Sequence, residues 1–188
     1  IAMHPQWGDP ELKEAVDKYQ AANASMVVMD VHTGEVLAMV NLPSYNPNAV
    51  GSSTPAQRRN RAVTDVVEPG STAKAFTVAA GLASGKWTPT TRIDTSPGYV
   101  VLFGHTIHDD ENNGVLDVTG VISRSSNIGA SKIALSMKPE QMYSVFRDFG
   151  FGDSTHSGFP GESSGVLPIG SDWRPIRQAT IGYGYGFS

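Results

Sequence analysis

Two apolar, β-branched runs, Ser25 to Val31 and Glu35 to Asn41, are separated only by His32-Thr33-Gly34. A connection that short cannot carry a parallel crossover, so the runs predict an antiparallel hairpin over residues 23–41. The pattern then changes period. From residue 71 onward, apolar stripes at helical spacing predict a helix that starts at Ser71, continues through Phe76, Ala79, Ala80, Leu82 and Ala83 and stops at Gly85, then helices over Asp117 to Ile122, Ile128 to Met137, Glu140 to Phe149 and Pro175 to Ile181. Ahead of the hairpin, Asp9-Pro10 followed by Glu11, Leu12, Ala15, Val16 and Tyr19 predicts a capped amphipathic helix. Residues 42–70 hold prolines, asparagines and arginines without sustained periodicity and read as an excursion. Tyr99 to Leu102 and Thr106 to His108 predict a second, small hairpin. A hairpin followed by a mainly helical region over 71–188 is the pattern of an α+β fold.

Composition narrows the function classes. With 39% apolar and 17% charged residues, 188 residues are enough for one packed core. A net charge of −4 argues against a nucleic-acid surface, and Arg58-Arg59-Asn60-Arg61 is too short a cluster to reverse that. No segment approaches the roughly 20 apolar residues of a membrane span. The absence of cysteine leaves the redox compartment open.

The chemistry concentrates at Ser71-Thr72-Ala73-Lys74, directly after Glu68-Pro69-Gly70. A serine hydroxyl is a weak nucleophile at neutral pH and needs a proton acceptor within hydrogen-bond reach. Residues i and i+3 share one helix face, so Lys74 can be that acceptor, provided that burial keeps its amine neutral. Nineteen serines and six lysines in 188 residues give about 0.6 such pairs by chance, so context must carry the assignment. Pro69-Gly70 places Ser71 at a helix start, where free N–H groups favour developing negative charge. The same position also suits a serine that only caps a core helix.

A second polar pair, Ser125 and Asn127 in Ser125-Ser126-Asn127, lies between two helical segments. There a hydroxyl can pass a proton to a leaving amine while a carboxamide aligns an amide substrate; alternatively Ser125 or Ser126 caps the next helix and Asn127 faces water. Ser44-Tyr45-Asn46 has the same spacing but sits in a proline-flanked turn before the Ser71 helix. Gly161-Glu162-Ser163-Ser164-Gly165 fits the nucleophile-elbow pattern, yet its flanks read as loop and no histidine follows His156. Asp109 to Gly114 begins like a calcium loop, but position twelve is Gly120 rather than glutamate. His105 and His108 lack a zinc-binding context, so no metal and no cofactor are expected.

Five stretches together, Val31 to Met39, Asn60-Arg61-Ala62, Glu68 to Lys74, Arg124 to Gly129 and Gly182-Tyr183-Gly184-Tyr185-Gly186, give the chain a broad likeness over about residues 20–188. It resembles the transpeptidase domain of a class B penicillin-binding protein of the septal, division-specific kind found in Gram-negative bacteria. The resemblance implies the penicillin-binding-protein and serine β-lactamase fold, an antiparallel sheet with packed helices and a helical subdomain. By the same likeness Ser71 is the nucleophile, Lys74 its base, and Ser125 and Asn127 the second motif. The expected substrates are peptidoglycan stem peptides, the expected inhibitors are β-lactam antibiotics, and the expected partners are membrane proteins of the division complex. Location would be the periplasm, tethered to the inner membrane by an N-terminal anchor outside these residues.

The family's third motif, Lys-Thr-Gly or Lys-Ser-Gly, occurs nowhere in the 188 residues. The resemblance therefore implies a partial transpeptidase domain over 1–188 whose C-terminal strands lie outside the chain. Ile1 to Asp9 also departs from the family pattern. Two other readings share these residues: a serine β-lactamase, and a non-catalytic β-lactam sensor or scaffold. Against the hydrolase, Glu162 is followed four residues later by Val166, where a water-positioning asparagine would be needed.

Overall fold

The computed structural model describes residues 9–188 of the chain, so the departure noted at Ile1 to Gly8 lies outside the described residues. The fold is α+β, and its chain divides into two compact units. One takes the chain up to Val66 together with Gly158–Ser163; the other takes Val67–Ser157 and Ser164–Ser188.

The first unit is built on the hairpin. Strands β1 (Ala24–Met29) and β2 (Val36–Leu42) pair antiparallel from Ala24 opposite Leu42 to Val28 opposite Ala38, and a bulge then shifts Met29 onto Val36. Both strands stop short of the predicted turn because Asp30 competes for its backbone. The Asp30 carboxylate accepts from the His32 and Thr33 N–H groups at 2.7 and 3.0 Å, and these bonds hold its pKa below the usual carboxylate value. Helix α1 (Asp9–Tyr19) packs on the hairpin. So does the short α3 (Arg61–Thr64). Residues 42–70 are more regular than their sequence pattern, holding a 3-10 stretch Pro47–Ser52, α2 (Pro55–Arg58) with a Thr54–Gln57 capping box, and α3. Helices α2 and α3 are about one turn long and a kink at Ala49 splits the 3-10 stretch into two pieces, all too short to show an apolar period. Asn41 fixes the return: its side-chain oxygen accepts from the Ala62 N–H and its amide donates to Asn60, both at 2.8 Å.

The second unit carries five helices: α4 (Lys74–Ala83), α5 (Val118–Ser123), α6 (Asn127–Leu135), α7 (Pro139–Asp148) and α8 (Pro175–Ile181). It also has two antiparallel ladders, β3 (Arg92–Asp94) with β6 (Val115–Asp117) and β4 (Tyr99–Leu102) with β5 (His105–His108). Asp117, expected to open a helix, ends β6 instead and caps α5 by accepting from the Gly120 N–H at 2.7 Å. Helix α6 is the centre of the unit: Ile128, Ala130, Ile133 and Ala134 are all at most 1% exposed. It can lie against α4 because Gly81 has no Cβ; one there would stand 2.7 Å from Ile133 Cγ2. Gly129 makes the same allowance toward Val121 of α5, at 2.5 Å. Phe146, with Phe76, Phe151 and Phe187 stacked edge-on or tilted around it at 5.4–6.2 Å, closes the core behind α4. Aromatic pairs in such arrangements contribute about 1 kcal/mol each beyond their burial.

Candidate active site

Ser71 lies in a 3-10 turn, Gly70–Ala73, which runs directly into α4 at Lys74. The Lys74 N–H bonds the Ser71 carbonyl, and in a 3-10 turn residues i and i+3 eclipse each other. The turn therefore stacks the two side chains more closely than an α-helix would. Ser71 is exposed and makes no side-chain cap, so the purely capping reading does not describe it. Its oxygen instead lies 3.0 Å from Lys74 Nζ.

Lys74 is 2% exposed, and among the described residues it forms no ion pair. Its amine reaches Ser71 Oγ, Ser125 Oγ at 2.9 Å and the Ser125 carbonyl. As an ammonium it would spend its three donors on these three oxygens. As a neutral amine it has two donors and a lone pair, so one hydroxyl must turn and donate to it. Burial lowers the Lys74 pKa from the ordinary lysine value, against a weaker upward pull from the Asp109 and Asp110 charges. The arrangement can therefore take a proton from either hydroxyl.

Ser125 reaches Lys74 through an unusual backbone. Helix α5 ends in a Schellman motif, with the Ser125 N–H on the Ile122 carbonyl and the Ser126 N–H on the Val121 carbonyl. The motif's left-handed position, normally a glycine, is Ser125 at φ +55°. Such a conformation costs a residue with a Cβ about 1–2 kcal/mol. Ser126 takes the capping role: it is fully buried, accepts from the Gly129 N–H at 2.9 Å and donates to Asp109 at 2.6 Å. The other Asp109 oxygen accepts from the Ile128 N–H at 3.0 Å. The carboxylate that opened the calcium-like pattern is thus committed to the start of α6.

Asn127 is the first residue of α6, and its side-chain amide donates to the His108 carbonyl at 2.8 Å, so it does more than face water. Ser71, Lys74 and Ser125 share one hydrogen-bonded cluster; Asn127 stands beside it, tied to β5. Ser163 sits in irregular chain with neither a strand before it nor a helix after it. The sequence marks Asp109 only as the start of a calcium-like turn and does not reveal its tie to Ser126, seventeen residues on. Nor does it reveal that Glu68 accepts from the Gly186 N–H at 2.7 Å. Only the turn rich in Asp and Asn around the first and the Glu-Pro-Gly setting of the second marked these places.

A family model described as the penicillin binding protein transpeptidase domain matches residues 24–188. The probable peptidoglycan D,D-transpeptidase PenA of Neisseria flavescens is 46% identical over 176 residues, 94% of this chain and 44% of that protein. The peptidoglycan D,D-transpeptidase FtsI of Escherichia coli K12 is 42% identical over 176 residues, 94% of this chain and 30% of that protein. The chain thus spans less than half of each of these relatives. Among solved structures, the transpeptidase domain of Burkholderia pseudomallei penicillin-binding protein 3 superposes with a TM-score of 0.84 at 46% identity, covering 95% of this chain and 49% of the other. A Burkholderia ambifaria protein described as a peptidoglycan glycosyltransferase gives 0.85 at 46% identity, covering 95% and 52%. Matched in sequence along nearly its whole length and in fold by a solved domain, the chain belongs to the penicillin-binding protein transpeptidase domain family.

Proposed function

We propose that this chain carries the nucleophile-bearing part of a peptidoglycan D,D-transpeptidase that works through an acyl-enzyme on Ser71. The observation that carries the reading is the buried Lys74 amine, within 3.0 Å of Ser71 Oγ and 2.9 Å of Ser125 Oγ. Lys74 takes the Ser71 proton as Oγ attacks the carbonyl carbon of the penultimate D-alanine of a stem peptide. The carbonyl oxygen gains the charge, facing the Ser71 N–H at the open end of the turn. As the C–N bond breaks, Ser125 gives its proton to the departing D-alanine amine and regains one from Lys74. Asn127, its amide fixed on His108, aligns the substrate's own amide. An amine of a second stem peptide then attacks the ester, and Ser71 leaves as the alcohol.

A β-lactam presents a strained amide to the same serine and acylates it. Resemblance to division enzymes supports a septal role with division-complex partners, in the periplasm at the inner membrane. The test is the intact mass of the full-length protein after exposure to a penicillin. One adduct on the wild type and none on Ser71→Ala is the expected result; an adduct that persists in Ser71→Ala would overturn the assignment.

A further inference from the structure

Gly182, Gly184 and Gly186 alternate along the chain after α8, and each is fastened to the stretch that carries the nucleophile. The Gly182 carbonyl accepts from the buried Thr77 hydroxyl at 2.8 Å. The Gly184 carbonyl accepts from the Gly70 N–H at 3.0 Å, and the Gly186 N–H donates to the Glu68 carboxylate at 2.7 Å. The order is antiparallel: as the glycines advance from 182 to 186, their partners retreat from 77 to 68. The strip is a turn rather than extended chain: Gly182 is still helical at φ −56° and ψ −25°, the Gly184 N–H bonds the Ile181 carbonyl, and Gly184 and Gly186 take φ +101° and +88°.

We infer that Gly182 to Gly186 is a positioning rail for the Ser71 turn, with Glu68 as the side chain that fastens its far end. The middle contact explains the glycine there. A Cβ on Gly184 would stand 1.8 Å from the Gly70 carbonyl oxygen, and its φ of +101° is closed to other residues. Gly70, at φ +56°, is the first residue of the 3-10 turn, so the bond from its N–H to Gly184 fixes the Pro69–Gly70 peptide plane, the one immediately before the plane that presents the Ser71 N–H. Thr77 fixes the same strip to the next turn of α4 beyond Lys74. Both reacting side chains are thus bracketed by rail contacts. Glu68 is the one fastening that can be altered without touching buried packing, because it is exposed and acts through a charge-assisted bond to a backbone amide.

The rate arm of the test rests on the acylation reading; the exchange arm does not. In the full-length protein, the second-order rate constant for acylation by a fluorescent penicillin is compared among wild type, Glu68→Ala and Glu68→Gln. Misplacement of the nucleophile in Glu68→Ala is expected to slow acylation roughly ten- to a hundredfold. Glu68→Gln, which keeps an acceptor oxygen, is expected to recover most of the wild-type rate. Unchanged rates in Glu68→Ala, or equal losses in both variants, would overturn the rail, the second by showing that charge and not the bond matters. Amide hydrogen exchange at Gly70 and Gly186 supplies the independent readout. Joint loss of protection at both in Glu68→Ala, with protection kept in Glu68→Gln, is expected. Loss at Gly186 alone would overturn the rail, whether or not the protein takes up penicillin; a wild type that takes none up would sink the acylation reading and leave the exchange result to decide.

Discussion

Helices α4 and α5 both end on a left-handed residue, and the residue differs. After Ala83 the chain turns at Gly85, φ +71°, whose N–H bonds the Leu82 carbonyl. After Ser123 it turns at Ser125, φ +55°, whose N–H bonds the Ile122 carbonyl. The first end uses the residue that the backbone prefers, and no Cβ is strained. The second places a serine where glycine would cost less, and the hydroxyl so held lies 2.9 Å from the buried Lys74 amine. On the mechanism proposed above, the fold gives up stability for chemistry at Ser125 and not at Gly85.

The comparison is broken most severely by Ser125→Gly. That variant keeps the left-handed turn and relieves its strain, so the melting temperature should hold or rise while penicillin acylation falls by about two orders of magnitude or more. Stopped-flow labelling beside a thermal melt reads both; a variant that loses stability along with activity would mean that the hydroxyl is structural. Next is Ser126→Ala, which removes the α6 cap and leaves a half-buried Asp109 oxygen without its donor. It should cost about 1–3 kcal/mol in denaturant unfolding. Smaller again is Gly85→Ala, at about 1 kcal/mol of stability, with acylation unchanged. It sharpens the contrast by showing strain at a helix end that buys no function.

The smallest effect concerns charge. Exposed Asp110 raises the Lys74 pKa, so Asp110→Asn should lower the midpoint of the acid limb of the acylation rate by a fraction of a pH unit. The sign for stability follows from the same shift. Lys74 holds its proton less well folded than unfolded, so the folded state is penalised below the lowered pKa, and the penalty disappears as pH rises toward about 10.4. A melt across alkaline pH should accordingly show a gain that is missing in Lys74→Met.

The legible parts of the fold were those that local chemistry dictates. Pro175 at a helix start with an apolar stripe behind it marks α8 to the residue. The β4–β5 hairpin is marked by Gly104, although its turn begins at Phe103, which also takes a positive φ, and β5 begins one residue earlier than the periodicity indicates. Strands β3 and β6 were hidden because each has only three residues and the pairing of Asp94 with Val115 spans a loop. At the site, the serine and lysine spacing is local and was readable, since a single turn sets it. Whether Ser125 or Ser126 caps α6 was not readable. The answer depends on the Schellman turn and on Asp109, which reaches Ser126 from another part of the chain. The rail contacts to Gly184 and Gly186 were equally out of reach, being set more than a hundred residues apart.

A neutral Lys74 between two hydroxyls is the base of the proposed mechanism, and the pH dependence of penicillin acylation in the full-length protein tests this most directly. A rate whose acid limb has its midpoint well below 10.4, and which loses that limb in Lys74→Met, is the predicted result. A rate that keeps climbing in proportion to hydroxide up to the ordinary lysine pKa would contradict it.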